Sequence, residues 1–440
     1  MFPAYGAWRP RPARQASHVL ANLSGAIDGK RQLRRQFQRY HDVSPSLYRQ
    51  RLILQGAPMP LTVSLLSLCQ ALLVSGNILL IAVSPLVGAA LAPGPTLATA
   101  PVASQWLGLM CATIPASLIM GRLGRKRGFV LGNLIGLSGA GVAMAALTLG
   151  RFPLFLLATF LIGVGIGFGQ LYRFAALEAA AERYRERALG LVMGGGLLAA
   201  FVGPWLARFS RELVETPFLA SFAGLAALYV IALCLLLVTR MPVAFVEPPP
   251  GDKRALGEIL RQPAFIVAVV SAMVGYAVMN LVMTATPLAM SHAGHGFDHV
   301  AMTIQWHVVA MFAPSFFTGY LSARVGAKAM IVAGCGLLVA STLAAQLSLS
   351  VAGFNLALVL LGLGWNFTFL PATGLLAAAC RPDEKARVQA ANEFLVFGAV
   401  ALSALAAGPL TSTLGWAALN AWLLPVSLLP IALLAWQKYR

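Results

Sequence analysis

Long apolar runs separated by short polar breaks fill this chain from about residue 62 to about residue 436. They predict helices near 62–89, 99–120, 127–150, 153–177, 188–207 and 216–238, then near 263–290, 299–321, 327–349, 352–378, 388–411 and 413–436. A bilayer core about 30 Å thick is crossed by roughly 20 mostly apolar helical residues, and each run supplies that length. Gly and Pro inside the runs do not count against them, because both are common in membrane helices. The longest polar interval inside the apolar region, 239–262, holds Glu247, three prolines and Gly251-Asp252-Lys253-Arg254. It separates two sets of six. The expectation is an all-α membrane protein of about twelve spans: a tail at 1–58, a bundle at 59–238, a linker at 239–262 and a second bundle at 263–440.

Composition sharpens this picture. Hydrophobic residues make up 59% of the 440 and charged residues only 10%, too little charge to cover a soluble surface. The net charge of +18 would fit a nucleic-acid partner, but the placement of the cations does not. Apart from Arg151, Arg173, Arg208 and Arg211, the Lys and Arg lie in the tail, in alternate loops or at the C-terminus. That is positive-inside patterning, so both termini are expected in the cytoplasm and nucleic acid is excluded as a partner. The expected setting is a lipid bilayer. Cys69, Cys111, Cys234, Cys335 and Cys380 are scattered and give no disulfide or zinc spacing. No nucleophile–base set or phosphate-binding loop is visible, so an enzyme is not expected and no cofactor is expected to be permanently bound.

The two sets look alike. Pro115 and Pro314 are 199 residues apart, as are Gly163 and Gly362, Gly165 and Gly364, and Phe168 and Phe367. Such offsets point to an internal repeat. Pro115-Ala-Ser-Leu-Ile-Met-Gly121-Arg122-Leu-Gly-Arg125-Lys126-Arg127 and Pro314-Ser-Phe-Phe-Thr-Gly319-Tyr-Leu-Ser-Ala-Arg324-Val-Gly-Ala-Lys328 both resemble the loop signature of the major facilitator superfamily. The resemblance implies two six-helix bundles around a central cavity. Gly121 and Gly319 are expected to allow close helix approach. Neither copy has the Asp that usually pairs with a basic residue in that loop, which removes the expected gating pair.

Polar groups inside spans are costly and face a cavity or another helix. Candidates for a cavity lining are Asn77, Gln170, Arg173, Asn280, Trp365, Asn366 and Glu393, Glu393 also as a proton carrier. Met279 and Met283 share one helix face, and His307 and Met311 share a face of the next helix. In a hairpin centred near residue 295 the two pairs fall at matched depths, roughly 12–18 Å into the membrane. Thioethers and an imidazole suit Cu(I); packing is the bland alternative.

The run Asn280-Leu-Val-Met-Thr-Ala-Thr-Pro-Leu-Ala-Met290 and the run Gln305-Trp-His-Val-Val-Ala-Met311 resemble the CcoA-like transporters, a branch that includes bacterial copper importers serving cytochrome oxidase assembly. The resemblance implies copper as the transported ion, a path through Met279, Met283, His307 and Met311, and copper chaperones as partners. The same wider group contains riboflavin transporters. The alternative is therefore transport of a small organic molecule, riboflavin or a drug-like compound, with Trp106, Trp306, Trp365 and Tyr172 as stacking surfaces. A non-transporting receptor or assembly factor is the reading of a different class.

Overall fold

The computed structural model describes residues 61–180, 185–241, 256–381 and 384–438, and the regular structure among them is helical throughout. The expected tail and most of the linker lie outside the described residues. The helices are α1 (Leu61–Leu91), α2 (Ala100–Leu123), α3 (Arg125–Leu149), α4 (Phe152–Ala179), α5 (Arg185–Ser210), α6 (Leu219–Val238), α7 (Pro263–His292), α8 (Phe297–Phe312 and Ser315–Val325), α9 (Ala327–Leu347) and α10 (Val351–Ala379). A final helical run, Lys385–Lys438, is broken at Gly415, where φ is 75°. At 1.5 Å per residue that run is roughly 80 Å long, far more than one membrane crossing. Gly415 therefore divides it into α11 (385–414) and α12 (416–438). With α8 counted as one span bent by 42°, the described residues hold twelve crossings.

Most of these helices are apolar on nearly every face, as expected of helices with lipid on one side and neighbours on the other. Their directions reverse at glycines. Gly124 and Gly326, between α2 and α3 and between α8 and α9, have φ of 85° and 90°, a region that costs side-chain-bearing residues steric strain. The expectation that Gly121 and Gly319 permit close helix approach fails. A Cβ at either would meet nothing within 4 Å, because both lie on the exposed surface of their helices. Close approach occurs in mid-span instead. A Cβ at Gly163 of α4 would stand 1.9 Å from the Gln105 carbonyl of α2, and one at Gly362 of α10 would stand 2.5 Å from the His307 carbonyl of α8.

Those two glycines are a repeat pair, and the helix pairings repeat with them. In the first set α2 and α3 pack on α4 and α1 packs on α5; in the second α8 and α9 pack on α10 and α7 packs on α11. The sets meet along a seam of α2 with α11, α5 with α8 and α1 with α7. The consecutive helices α7 and α8 pack mainly on other partners, α7 on α10 and α11, α8 on α10 and α5.

Candidate functional site: the seam between the helix sets

The middle of the seam is aromatic. Trp106 of α2 stacks on Phe397 of α11, with ring centroids 5.9 Å apart and planes 23° apart. Trp365 and Phe369, one turn apart on α10, stack at 5.1 Å and 13°. Tyr276 of α7 stands edge-on to all four rings: 5.6 Å from Trp106, 6.2 Å from Phe397, 5.5 Å from Trp365 and 5.3 Å from Phe369, at 79–90°. Phe312 of α8 closes the cluster 6.1 Å from Trp365. Edge-to-face and offset contacts of this kind are the favoured aromatic geometries.

Exposure along the seam is graded. Arg173, Tyr276, Phe312, Phe369 and Glu393 are half-buried, whereas Asn280, Met283 and Thr284, further from the basic loops, are buried. Burial along α7 is thus complete beyond Tyr276, at Asn280, Met283 and Thr284. Near the basic-loop end, Arg173 of α4 and Glu393 of α11 form an ion pair across the seam at 2.6 Å. Arg173 also lies over the Phe174 ring at 4.9 Å, and Gln389 donates to Glu393 at 3.4 Å. At the opposite end, Arg208 of α5 reaches Asp298 of α8 at 3.0 Å. There Arg211 lies over the rings of Phe218 and Phe297 at 5.8 and 5.3 Å. Arg208 and Arg211, two of the four arginines outside the charge pattern, therefore sit where the two sets meet.

Several buried polar atoms in this region have no hydrogen-bond partner: the indole nitrogens of Trp106 and Trp365, Asn280 Oδ1, Thr284 Oγ1, Thr303 Oγ1 and His307 Nε2. Unpaired polar atoms away from water are unusual in folded proteins, and each costs stability unless something else meets it. Asn280 spends its amide nitrogen on the Val400 carbonyl and Ser403 Oγ at 3.2 and 3.1 Å.

The remaining sequence candidates separate into those on the seam and those holding helices together. Asn77 accepts from Gln105 at 2.5 Å, tying α1 to α2. Asn366 is fully engaged, donating to the Met311 carbonyl and Ser315 Oγ at 2.7 Å each and accepting from Thr318. Gln170 is half-buried where α4 changes from its long to its short segment. Lys126 caps the end of α6 through the Leu237 carbonyl at 2.5 Å, and Arg324 lies over the Tyr320 ring at 4.6 Å. Arg122 is exposed. Arg125 forms a two-pronged ion pair with Glu178 of α4, one prong at 2.6 Å. The basic loop lacks its own acid, and α4 supplies one.

Met279, Met283, His307 and Met311 are all buried. His307 Nδ1 meets the Leu358 carbonyl at 2.7 Å, so it donates and Nε2 keeps its lone pair. Among the described residues no three His, Cys, Asp or Glu side chains converge. A metal held in this region would need thioethers in its ligand set. Of the four aromatic residues singled out in the sequence, Trp106 and Trp365 are in the cluster. Trp306 is 48% exposed on the outer surface. Tyr172 packs on Phe129 at 4.5 Å within the first set, lining a small cavity of about 10 Å³ with Cys69, Asn133 and Tyr229. Tyr276, Phe369 and Phe397 were not singled out. In apolar spans their residue types do not differ from packing residues, although Trp365 and Phe369 do share a helix face.

The pattern of the Major Facilitator Superfamily matches residues 66–404. A protein of Brucella anthropi named riboflavin transporter RfnT is 40% identical over 365 residues, 82% of this chain and 92% of that protein. An uncharacterized MFS-type transporter of Bacillus subtilis, YddS, is 32% identical over 67% of this chain and 72% of its own. Among solved structures, the POT family transporter PepTSo superposes with a TM-score of 0.71 at 11% identity, covering 87% of this chain and 99% of that one, a likeness of fold alone.

Proposed function

From the premise that this chain belongs to the Major Facilitator Superfamily, we propose that its cargo is a flat aromatic solute of the riboflavin kind. The chain is a multi-pass membrane transporter and not an enzyme. The observation that carries the cargo is the 40% identity, over 82% of this chain and 92% of that protein, to the Brucella protein named as a riboflavin transporter. The chemistry of the seam supports it. Six rings gather where the two helix sets meet, and stacking favours a planar neutral ring over a compact ion.

Copper is the second reading. It is favoured by one observation, the buried, unpartnered Nε2 of His307 within a region that also buries Met279, Met283 and Met311. A neutral imidazole nitrogen and thioethers are good Cu(I) ligands. The relative's name favours riboflavin.

One assay separates the two readings: uptake of labelled riboflavin and of radioactive copper into proteoliposomes holding the purified protein. Riboflavin should accumulate saturably and copper should not. Copper accumulation without riboflavin transport, lost in the Met283→Leu variant, would replace this reading with the second.

A further inference from the structure

Tyr276 is placed unlike any other ring in the cluster. It is half-buried, whereas Asn280, Met283 and Thr284 beyond it on α7 are buried. One stacked pair beside it joins the two helix sets, Trp106 of α2 with Phe397 of α11, and another belongs to α10, Trp365 with Phe369. It makes perpendicular contacts with all four. The two tryptophans beside it are 2% and 4% exposed, and both indole N–H groups lack a partner. One turn further along the same face of α7, Asn280 Oδ1 is also unpartnered. Packing alone explains the rings. It does not explain two donors left unpaired beside the same phenol ring in a region where unmet polar groups are costly.

We propose that Tyr276 occupies the seat of the cargo's ring in this conformation, and that the N–H groups of Trp106 and Trp365 are the donors that meet the cargo's edge. The inference rests on the aromatic-cargo reading above and narrows it. The ligand class is a planar heteroaromatic whose rim carries carbonyl or ring-nitrogen acceptors, as the dione edge of a flavin does. A hydrocarbon ring of the same size would fill the seat and leave both donors unmet. When such a cargo enters, the Tyr276 ring gives way and its four ring contacts are exchanged for stacking on the cargo. Tyr276 thus competes with the ligand for the site.

The test is equilibrium binding to the full-length purified protein, followed by quenching of riboflavin fluorescence, with lumichrome as a second ligand that keeps the dione edge and lacks the sugar alcohol chain. Trp106→Phe and Trp365→Phe keep a ring and delete the N–H. Each should weaken riboflavin and lumichrome alike by about five- to tenfold, the usual worth of one hydrogen bond. Tyr276→Ala should bind more tightly than the unaltered protein, since removing a competitor raises apparent affinity. Unchanged affinity in both Trp→Phe variants would overturn the proposal, even if riboflavin transport stands. Weaker binding in Tyr276→Ala, in protein whose thermal unfolding is unchanged, would overturn the role given to that ring. Lumichrome binding sensitive to Trp365→Phe, without any riboflavin binding, would keep the seat and remove riboflavin as its cargo. Binding of neither ligand would end the proposal.

Discussion

Pro115 lies inside α2, which continues from Ala100 to Leu123. Pro314, its counterpart 199 residues on, stands where α8 bends by 42°. A proline removes one helical hydrogen bond and pushes against the preceding turn, so both sites carry the same local insult. What differs is the neighbour. Opposite Pro314, Asn366 of α10 takes the Met311 carbonyl and Ser315 Oγ, and Thr318 bonds both to Asn366 and to the Pro314 carbonyl at 2.8 Å. The break is held open by replacement bonds. The position matching Asn366 in the first set is Gly167. A Cβ there would stand 2.7 Å from Ala112 Cβ and 3.0 Å from the Leu109 carbonyl. The backbone of α4 lies directly on α2 and leaves no room for a polar side chain. The same proline therefore gives a continuous helix carrying Trp106 in one half and a jointed helix carrying His307, Met311 and Phe312 in the other.

The comparison can be broken most severely at the glycines. Gly163→Ala places a Cβ against a backbone carbonyl that cannot swing aside. It should cost about 3 kcal/mol, read as loss of folded protein in thermal unfolding of the detergent-solubilised sample. Gly121→Ala, with nothing within 4 Å of the new Cβ, should leave the melting temperature unchanged. Equal effects at the two positions would contradict the packing described for α2 and α4.

Next in size is Asn366→Leu, which keeps volume and strips the bracket from the α8 break. The Met311 carbonyl and two hydroxyls lose a partner, and bonds between membrane helices are worth about 0.6–2 kcal/mol each. A loss of about 2 kcal/mol is expected, together with proteolytic sensitivity confined to α8. A silent Asn366→Leu would mean that the bend is set by Pro314 alone.

The smallest effect on stability is expected at the ion pair between the halves. Arg173 and Glu393 are partly exposed, so Glu393→Gln should cost about 1 kcal/mol or less while changing the transport rate several-fold. The exchanged pair, Arg173→Glu with Glu393→Arg, should recover part of that rate. An exchanged variant as impaired as either single one would assign the two residues separate tasks.

The spans were legible because crossing a bilayer demands long apolar runs, and the polar interval at 239–262 marks where the pattern starts again. The repeat was legible in the 199-residue offsets, and Gly163 with Gly362 carries out the same close contact in each half. The loop glycines were misread because a motif does not say which glycine turns the chain. The positive φ falls at Gly124 and Gly326, leaving Gly121 and Gly319 on the surface. Trp106 and Trp365 stood out as large amphipathic side chains, but the rotation of each helix about its axis is not written in residue type. Trp306 therefore turned outward and Tyr172 inward to its own bundle. The choice of neighbours for α7 and α8 was not legible from spacing, since α10 packs against both.

Counterflow tests the cargo most directly. Proteoliposomes loaded with unlabelled riboflavin are diluted into a trace of labelled riboflavin, so that exchange through the protein needs no knowledge of the coupling ion. A transient accumulation of label above the equilibrium level is predicted for the unaltered protein, and its loss is predicted for Trp106→Ala at equal amounts of folded protein. No accumulation by the unaltered, folded protein would contradict the account.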